Sequence, residues 1–232
     1  MAQLQLRLRT WGGKRRRAGR PPRTHRSSER HTKRERFSRT TPIHVTLRVV
    51  ERIGTLRRRD AYHAIRLATA STLARADFRI VHLSLERDHL HLIVEADHHE
   101  ALSAGVKAFE SSAAQRLNRA LSKTTHRKQR GTVFADRFHA RIVRSPTQAR
   151  HAIAYVLNNW RRHGQDQDLD TMFWDVDYFS SGPSFDGWRE GPHQAPEGYQ
   201  PLPIARPQSW LLAHGWRKTG AISWRQVPKA VA

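Results

Sequence analysis

The feature that most restricts this chain is the order in which its hydrophobic periodicity changes between residues 43 and 163. Ile43, Val45, Leu47 and Val49 alternate with His44, Thr46 and Arg48, the period-two pattern of a half-buried strand. After the breaker Gly54, residues 60–75 carry Ile65, Leu67, Ala68 and Leu73 among charges with no Gly or Pro, which predicts an amphipathic helix. Two strand-like runs follow, 78–86 and 89–95, separated by Arg87-Asp88 where a tight hairpin turn fits. Residues 100–121 read as a second helix, with Leu102, Val106, Phe109, Ala113 and Leu117 on one face. A basic loop, 123–130, leads to a short strand at 140–144. Pro146 then suits the first turn of a helix capped by Ser145, and Gly164 ends it just after His163. The order is βαββαβ plus one helix. It predicts an α+β, ferredoxin-like antiparallel sheet with two helices on one face and the opposite face left available.

Both flanks differ from this core. Residues 1–40 hold 14 Lys/Arg and only two acids, Glu29 and Glu35, with too little apolar surface to offset the entropy of ordering. They are expected to form a disordered basic arm. Around Arg20 the run 15–23 reads first as a plain phosphate-binding arm, with its resemblance to the Gly-Arg-Pro core of an AT-hook, which would enter a narrow minor groove, as the alternative. Residues 165–232 are rich in Pro and Gly and carry five of the seven Trp, at 174, 188, 210, 216 and 224. They predict an irregular extension anchored by aromatic burial, with stacking on unpaired bases as the alternative. The units expected are therefore an arm over 1–40, a core over 41–164 and an extension over 165–232.

Charge selects the partner. The chain has 42 Lys+Arg against 20 Asp+Glu, a formal +22, and such an excess repels itself unless a polyanion neutralises it. Nucleic acid is the expected partner. The chain has no cysteine, which excludes a disulfide scaffold, a thiolate zinc site and a cysteine nucleophile. No apolar run reaches membrane-spanning length, so no membrane association is expected, and the cytoplasm, on the nucleoid if bacterial, is the expected location. An Arg-rich, acid-poor organellar transit peptide is the alternative reading of the N-terminus.

Two clusters carry chemistry. His89-Leu90-His91 puts two imidazoles on the same face of a strand, where they converge as nitrogen ligands for a divalent ion and leave other coordination positions open. On the last helix Ile153, Val156, Leu157 and Trp160 form the apolar stripe, whereas Tyr155 and Asn159, four residues apart, fall on a nearby polar face. Surface accident is the plain alternative for the first pair, and a rim hydrogen bond for the tyrosine.

Taken together, the runs 44–48, 89–94 (His-Leu-His-Leu-Ile-Val), 131–139 (Gly-Thr-Val-Phe-Ala-Asp-Arg-Phe-His) and 155–159 (Tyr-Val-Leu-Asn-Asn) resemble the IS200-like tyrosine transposases. Within that family they resemble the branch associated with repetitive extragenic palindromes. The resemblance implies a Y1 HUH enzyme in which His89, His91 and Asn159 hold Mg²⁺ or Mn²⁺ and Tyr155 attacks a phosphate of single-stranded or hairpin DNA. Asn158 is the fallback third ligand, and other IS200-like enzymes place Gln at the position of Asn159. It also implies cleavage and rejoining through a 5′-phosphotyrosine link, while leaving open whether a monomer or a homodimer acts. His44, His139 and His151 are candidate neighbours of the site, and Arg137 and Arg141 candidate phosphate contacts. A non-catalytic hairpin-DNA-binding regulator on the same scaffold is the alternative, and an RNA-binding module a weaker one.

Overall fold

The structure, a computed structural model, describes residues 35–39 and 41–229. Arg20 and nearly all of the expected basic arm lie outside the described residues. The core has the expected element order: β1 (Ile43–Arg48), α1 (Arg59–Ala70), β2 (Phe78–Leu85), β3 (His89–Ala96), α2 (His99–Thr125), β4 (His139–Ile142) and α3 (Pro146–Arg162). The four strands pair in the order β2-β3-β1-β4, every neighbour antiparallel, which is the ferredoxin-like arrangement. Register sets Thr46 opposite His91, Arg48 opposite His89 and His44 opposite Arg141.

One face of the sheet is apolar. Ile43, Val45 and Leu47 of β1, Leu90, Leu92 and Val94 of β3, and Ile80, Leu83 and Leu85 of β2 close on α1 and α2. From α2 come the five side chains expected from its spacing, Leu102, Val106, Phe109, Ala113 and Leu117, each essentially fully buried. Helix α2 seats close to the sheet because Gly105 has no Cβ, and one placed there would fall 2.1 Å from the ring of Phe78. Two boundaries differ from expectation. Helix α1 stops at Ala70, five residues short, where the Thr69, Ser71 and Thr72 hydroxyls donate back to carbonyls of the final turns and compete with the helical ladder. Leu73 is consequently exposed rather than on a buried stripe. The last strand is His139–Ile142 rather than 140–144, since Ser145 is already taken as the N-cap of α3, accepting from the Gln148 N–H at 3.2 Å.

The second face is not open, contrary to the sequence reading. Helix α3 lies across it, and Ile153, Val156 and Leu157 pack with Val81 of β2 and Ile93 of β3 in a second core, while Trp160 is buried with its ring 6.3 Å from that of Trp174. The 165–229 segment completes that core with Val176, Phe185, Trp188, Trp216 and Ile222. Anchoring by aromatic burial therefore holds for Trp188 and Trp216, while Trp210 is about half exposed. Polar clamps reinforce it. Arg57 donates two hydrogen bonds of 2.9 Å to Asp177, and the Glu95 carboxylate accepts the Gln208 and Ser209 N–H groups at 2.8 Å each. Helix α3 ends where expected, with His163 as cap and Gly164 in the left-handed region at φ 66°. None of the helices in the described residues is long and apolar enough to cross a membrane.

Candidate active site

The β2–β3 hairpin, the middle of β1 and the second half of α3 bring titratable side chains into one cluster. Period-two alternation turns His89 and His91 to the α3 side of the sheet, while Leu90 and Leu92 enter the opposite core. Their Nε2 atoms face one another at 3.0 Å. His89 Nδ1 lies 2.7 Å from the Asp88 carboxylate, which can only accept, so that nitrogen carries the proton and Nε2 presents its lone pair. His91 Nδ1 lies 3.2 Å from both His44 Nε2 and Thr46 Oγ1. A proton on that nitrogen satisfies these partners and frees the His91 Nε2 lone pair for the same point in space.

Burial keeps the imidazoles neutral. His91 is held well below the usual histidine range by desolvation, with His44, His89 and His163 adding repulsion. His44 is lowered to about 4, again first by burial. His89 is lowered less, because Asp88 opposes the burial. Lone pairs on two neutral rings 3.0 Å apart repel unless a cation or a proton lies between them. The spacing fits two adjacent ligands of one divalent ion, since nitrogens about 2.1 Å from a metal at a right angle are about 3 Å apart.

Tyr155 belongs to this cluster. Its ring centroid is 5.1 Å from that of His91 and 5.7 Å from that of His44, edge-on to both. Its hydroxyl is raised above the usual phenol value by burial, with Glu86 adding to the shift and Arg162 opposing it. Two turns along α3, the His163 ring lies 6.1 Å from that of His89. Asn159, midway between Tyr155 and His163 on the same helical row, is thereby aimed at the same hairpin. It is fully buried rather than on an exposed polar face, and neither amide atom has a hydrogen-bond partner. Two lone-pair nitrogens and an unpartnered buried amide form a donor set that suits a hard divalent cation. Among the described residues, no three His, Asp or Glu side chains form a metal cluster by themselves, so the amide would be needed as the third ligand. Asn158 donates its side-chain N–H to the Ser223 carbonyl at 2.9 Å, tying α3 to the C-terminal extension, while its amide oxygen is buried without a partner.

Of the further candidates, His44 is brought into the cluster, whereas His139 and His151 are exposed. His151 lines a cavity of about 640 Å³ beside His44, with Arg141 and Gln148 also in its wall. Arg137 is exposed on the segment leading into β4. Sequence reasoning missed Thr46, Asp88 and above all Glu86, whose carboxyl is buried at the end of β2 and pushed up to about 7, first by burial. The available signal was the period-two placement of Ser84 and Glu86 before the turn, in step with His89 and His91 after it.

The family model for IS200-like transposases matches residues 38–159, more than half of the chain. Among solved structures, a REP-associated tyrosine transposase bound to a REP hairpin is similar at TM-score 0.52 and 16% identity, with 78% of this chain and 100% of that chain covered. A crystal structure of a Deinococcus radiodurans R1 protein assigned as a transposase aligns at TM-score 0.36 and 16% identity, covering 61% of this chain and 98% of that one. No curated protein matches the chain.

Proposed function

Because the chain belongs to the IS200-like transposases, we propose that it cuts and rejoins single-stranded DNA at hairpin-forming palindromes, with Tyr155 as the nucleophile. The observation that carries this reading is the placement of the Tyr155 ring beside His91, whose Nε2 faces His89 Nε2 at 3.0 Å. His89, His91 and Asn159 would hold a Mg²⁺ or Mn²⁺ ion. When bound, that ion supplies Lewis-acid activation of the scissile phosphate.

The side chains do the rest. Burial favours the protonated form of Tyr155, so the phenol has to lose its proton as its oxygen meets phosphorus. The new bond joins the Tyr155 oxygen to the 5′ phosphate as the bond to the 3′ oxygen breaks, and that oxygen takes up a proton. A second 3′ hydroxyl can reverse the step, because the link to tyrosine is a phosphodiester like the one it replaced. Asp88 and Thr46 orient the two imidazoles in the manner of outer-shell partners at metal sites.

The hairpin as substrate is supported by the formal charge of +22 and by the ligand of the similar solved structure, which is a REP hairpin. A transposase acting on such elements in a bacterium would work on the nucleoid. The test is a labelled single-stranded hairpin oligonucleotide with Mn²⁺, resolved on a denaturing gel. A covalent protein–DNA band is expected from the parent and none from Tyr155→Phe or His89→Ala. Hairpin binding by the parent with no covalent band would instead identify a non-catalytic regulator.

A further inference from the structure

We propose that Glu86 is a positioning residue, whose carboxylate accepts from the Asn159 side-chain amide and so turns the amide oxygen toward the His89–His91 pair. The inference rests on the reading of that pair and Asn159 as a cation site. Glu86 sits at the end of β2, where its N–H donates to the His89 carbonyl across the hairpin at 2.9 Å. Period-two alternation puts Ser84 and Glu86 on the same sheet face as His91 and His89. One carboxylate oxygen accepts from Ser84 Oγ at 3.2 Å, and the other is buried without a partner.

The Arg57 guanidinium does not claim that second oxygen. Arg57 spends both terminal nitrogens on Asp177 and gives one of them also to the Leu85 carbonyl. What faces Glu86 is the Asn159 amide, on the row of α3 that looks onto the hairpin, and both of its polar atoms are buried without a hydrogen-bond partner. A buried acceptor and a buried donor left unmade on facing groups each carry a desolvation cost, and one rotation of the Asn159 amide removes both. That rotation directs Nδ2 to Glu86. It leaves Oδ1 as the single open acceptor, on the helical row bracketed by Tyr155 and His163. An amide without such a partner is free to present nitrogen in place of oxygen, which no cation accepts.

The test uses the full chain without DNA, read by Mn²⁺ titration with electron paramagnetic resonance and by the ¹⁵N–¹H signals of the Asn159 side chain in metal-free protein. Glu86→Ala is expected to weaken Mn²⁺ binding about 10- to 100-fold, the range for loss of an outer-shell partner. Glu86→Gln, whose carbonyl oxygen accepts the same N–H, is expected to stay within a few-fold of the parent. Circular dichroism melts check that both variants fold. Asn159 amide protons should exchange slowly in the parent and in Glu86→Gln, and rapidly in Glu86→Ala. Unchanged Mn²⁺ affinity or unchanged amide exchange in Glu86→Ala overturns the proposal. So does equal loss of affinity in both variants, which would put the carboxylate on the ion itself. A parent that binds no Mn²⁺ while its Asn159 signal still depends on Glu86 defeats the cation reading and leaves the Glu86–Asn159 contact established.

Discussion

The two faces of this sheet are built from the same four strands and obey opposite rules. On the face under α1 and α2, alternate residues of β1 and β3 are Ile, Val and Leu, each fully buried and none with a polar atom to satisfy. On the other face the intervening residues include His44, Thr46, His89 and His91, half or wholly buried, whose ring nitrogens and hydroxyl find partners in one another. Stability is drawn from the first face and from the apolar core that α3 shares with Val81 and Ile93 on the second. The second keeps neutral imidazoles dry, a condition that costs stability and suits lone pairs meant for a ligand. The C-terminal extension adds to the cover of that side of the sheet, where its Val176, Trp188 and Trp216 share an apolar core with α3, Val81 and Ile93.

Adjacent residues break this comparison most sharply. Leu92→Ala should lower unfolding free energy by about 2–5 kcal/mol in urea while sparing DNA cleavage at temperatures where the protein is folded. His91→Ala should do the reverse, leaving the urea midpoint near that of the parent and reducing covalent adduct formation at least about a hundredfold. Equal loss of stability in both would erase the distinction between the faces.

The clamp between core and extension gives the next largest effect. Asp177→Ala leaves the Arg57 guanidinium buried without its carboxylate, so a loss of about 3–5 kcal/mol is expected in chemical denaturation. His82 sharpens the comparison through pH. It is fully enclosed against Phe185 and lowered to about 4 by burial. A folded value below the unfolded 6.5 means that protonation favours the unfolded chain. Its contribution is complete above pH 6.5 and is lost as the pH falls toward 4, at up to about 1.4 kcal/mol per unit. Stability measured from pH 7 to 4 should therefore fall less steeply in His82→Gln than in the parent, whatever the offset between them. The smallest effect belongs to the cap of the tyrosine helix. Ser145→Ala should cost about 1 kcal/mol, read from the thermal midpoint.

The first face was legible in the sequence because its physics is periodic. Spacing of 2 in the strands and of 3.6 in α2 identified Val45, Leu92 and Phe109 without any tertiary information. The Ser145 cap and the Gly164 stop were equally local. What escaped depended on distant partners. Helix α1 ends early through hydroxyls that a pattern of apolar residues does not weigh. The roofing of the second face depends on contacts from residues 176–222, which have no periodicity to read. His89, His91 and Tyr155 stood out by residue type and by resemblance to a family. Glu86 did not, since a carboxylate one residue before a turn reads as solvated until Arg57 is seen to be occupied by Asp177.

The chain has four tyrosines, and Tyr62, Tyr178 and Tyr199 hydrogen-bond or stack with one another away from the histidine pair. Peptide mass spectrometry of the covalent adduct formed with a single-stranded hairpin therefore tests the central claim most directly. A nucleotide-bearing peptide that contains Tyr155, with the DNA joined through its 5′ phosphate, is the predicted result. Attachment at Tyr62, Tyr178 or Tyr199, or cleavage products with no protein attached, would contradict it.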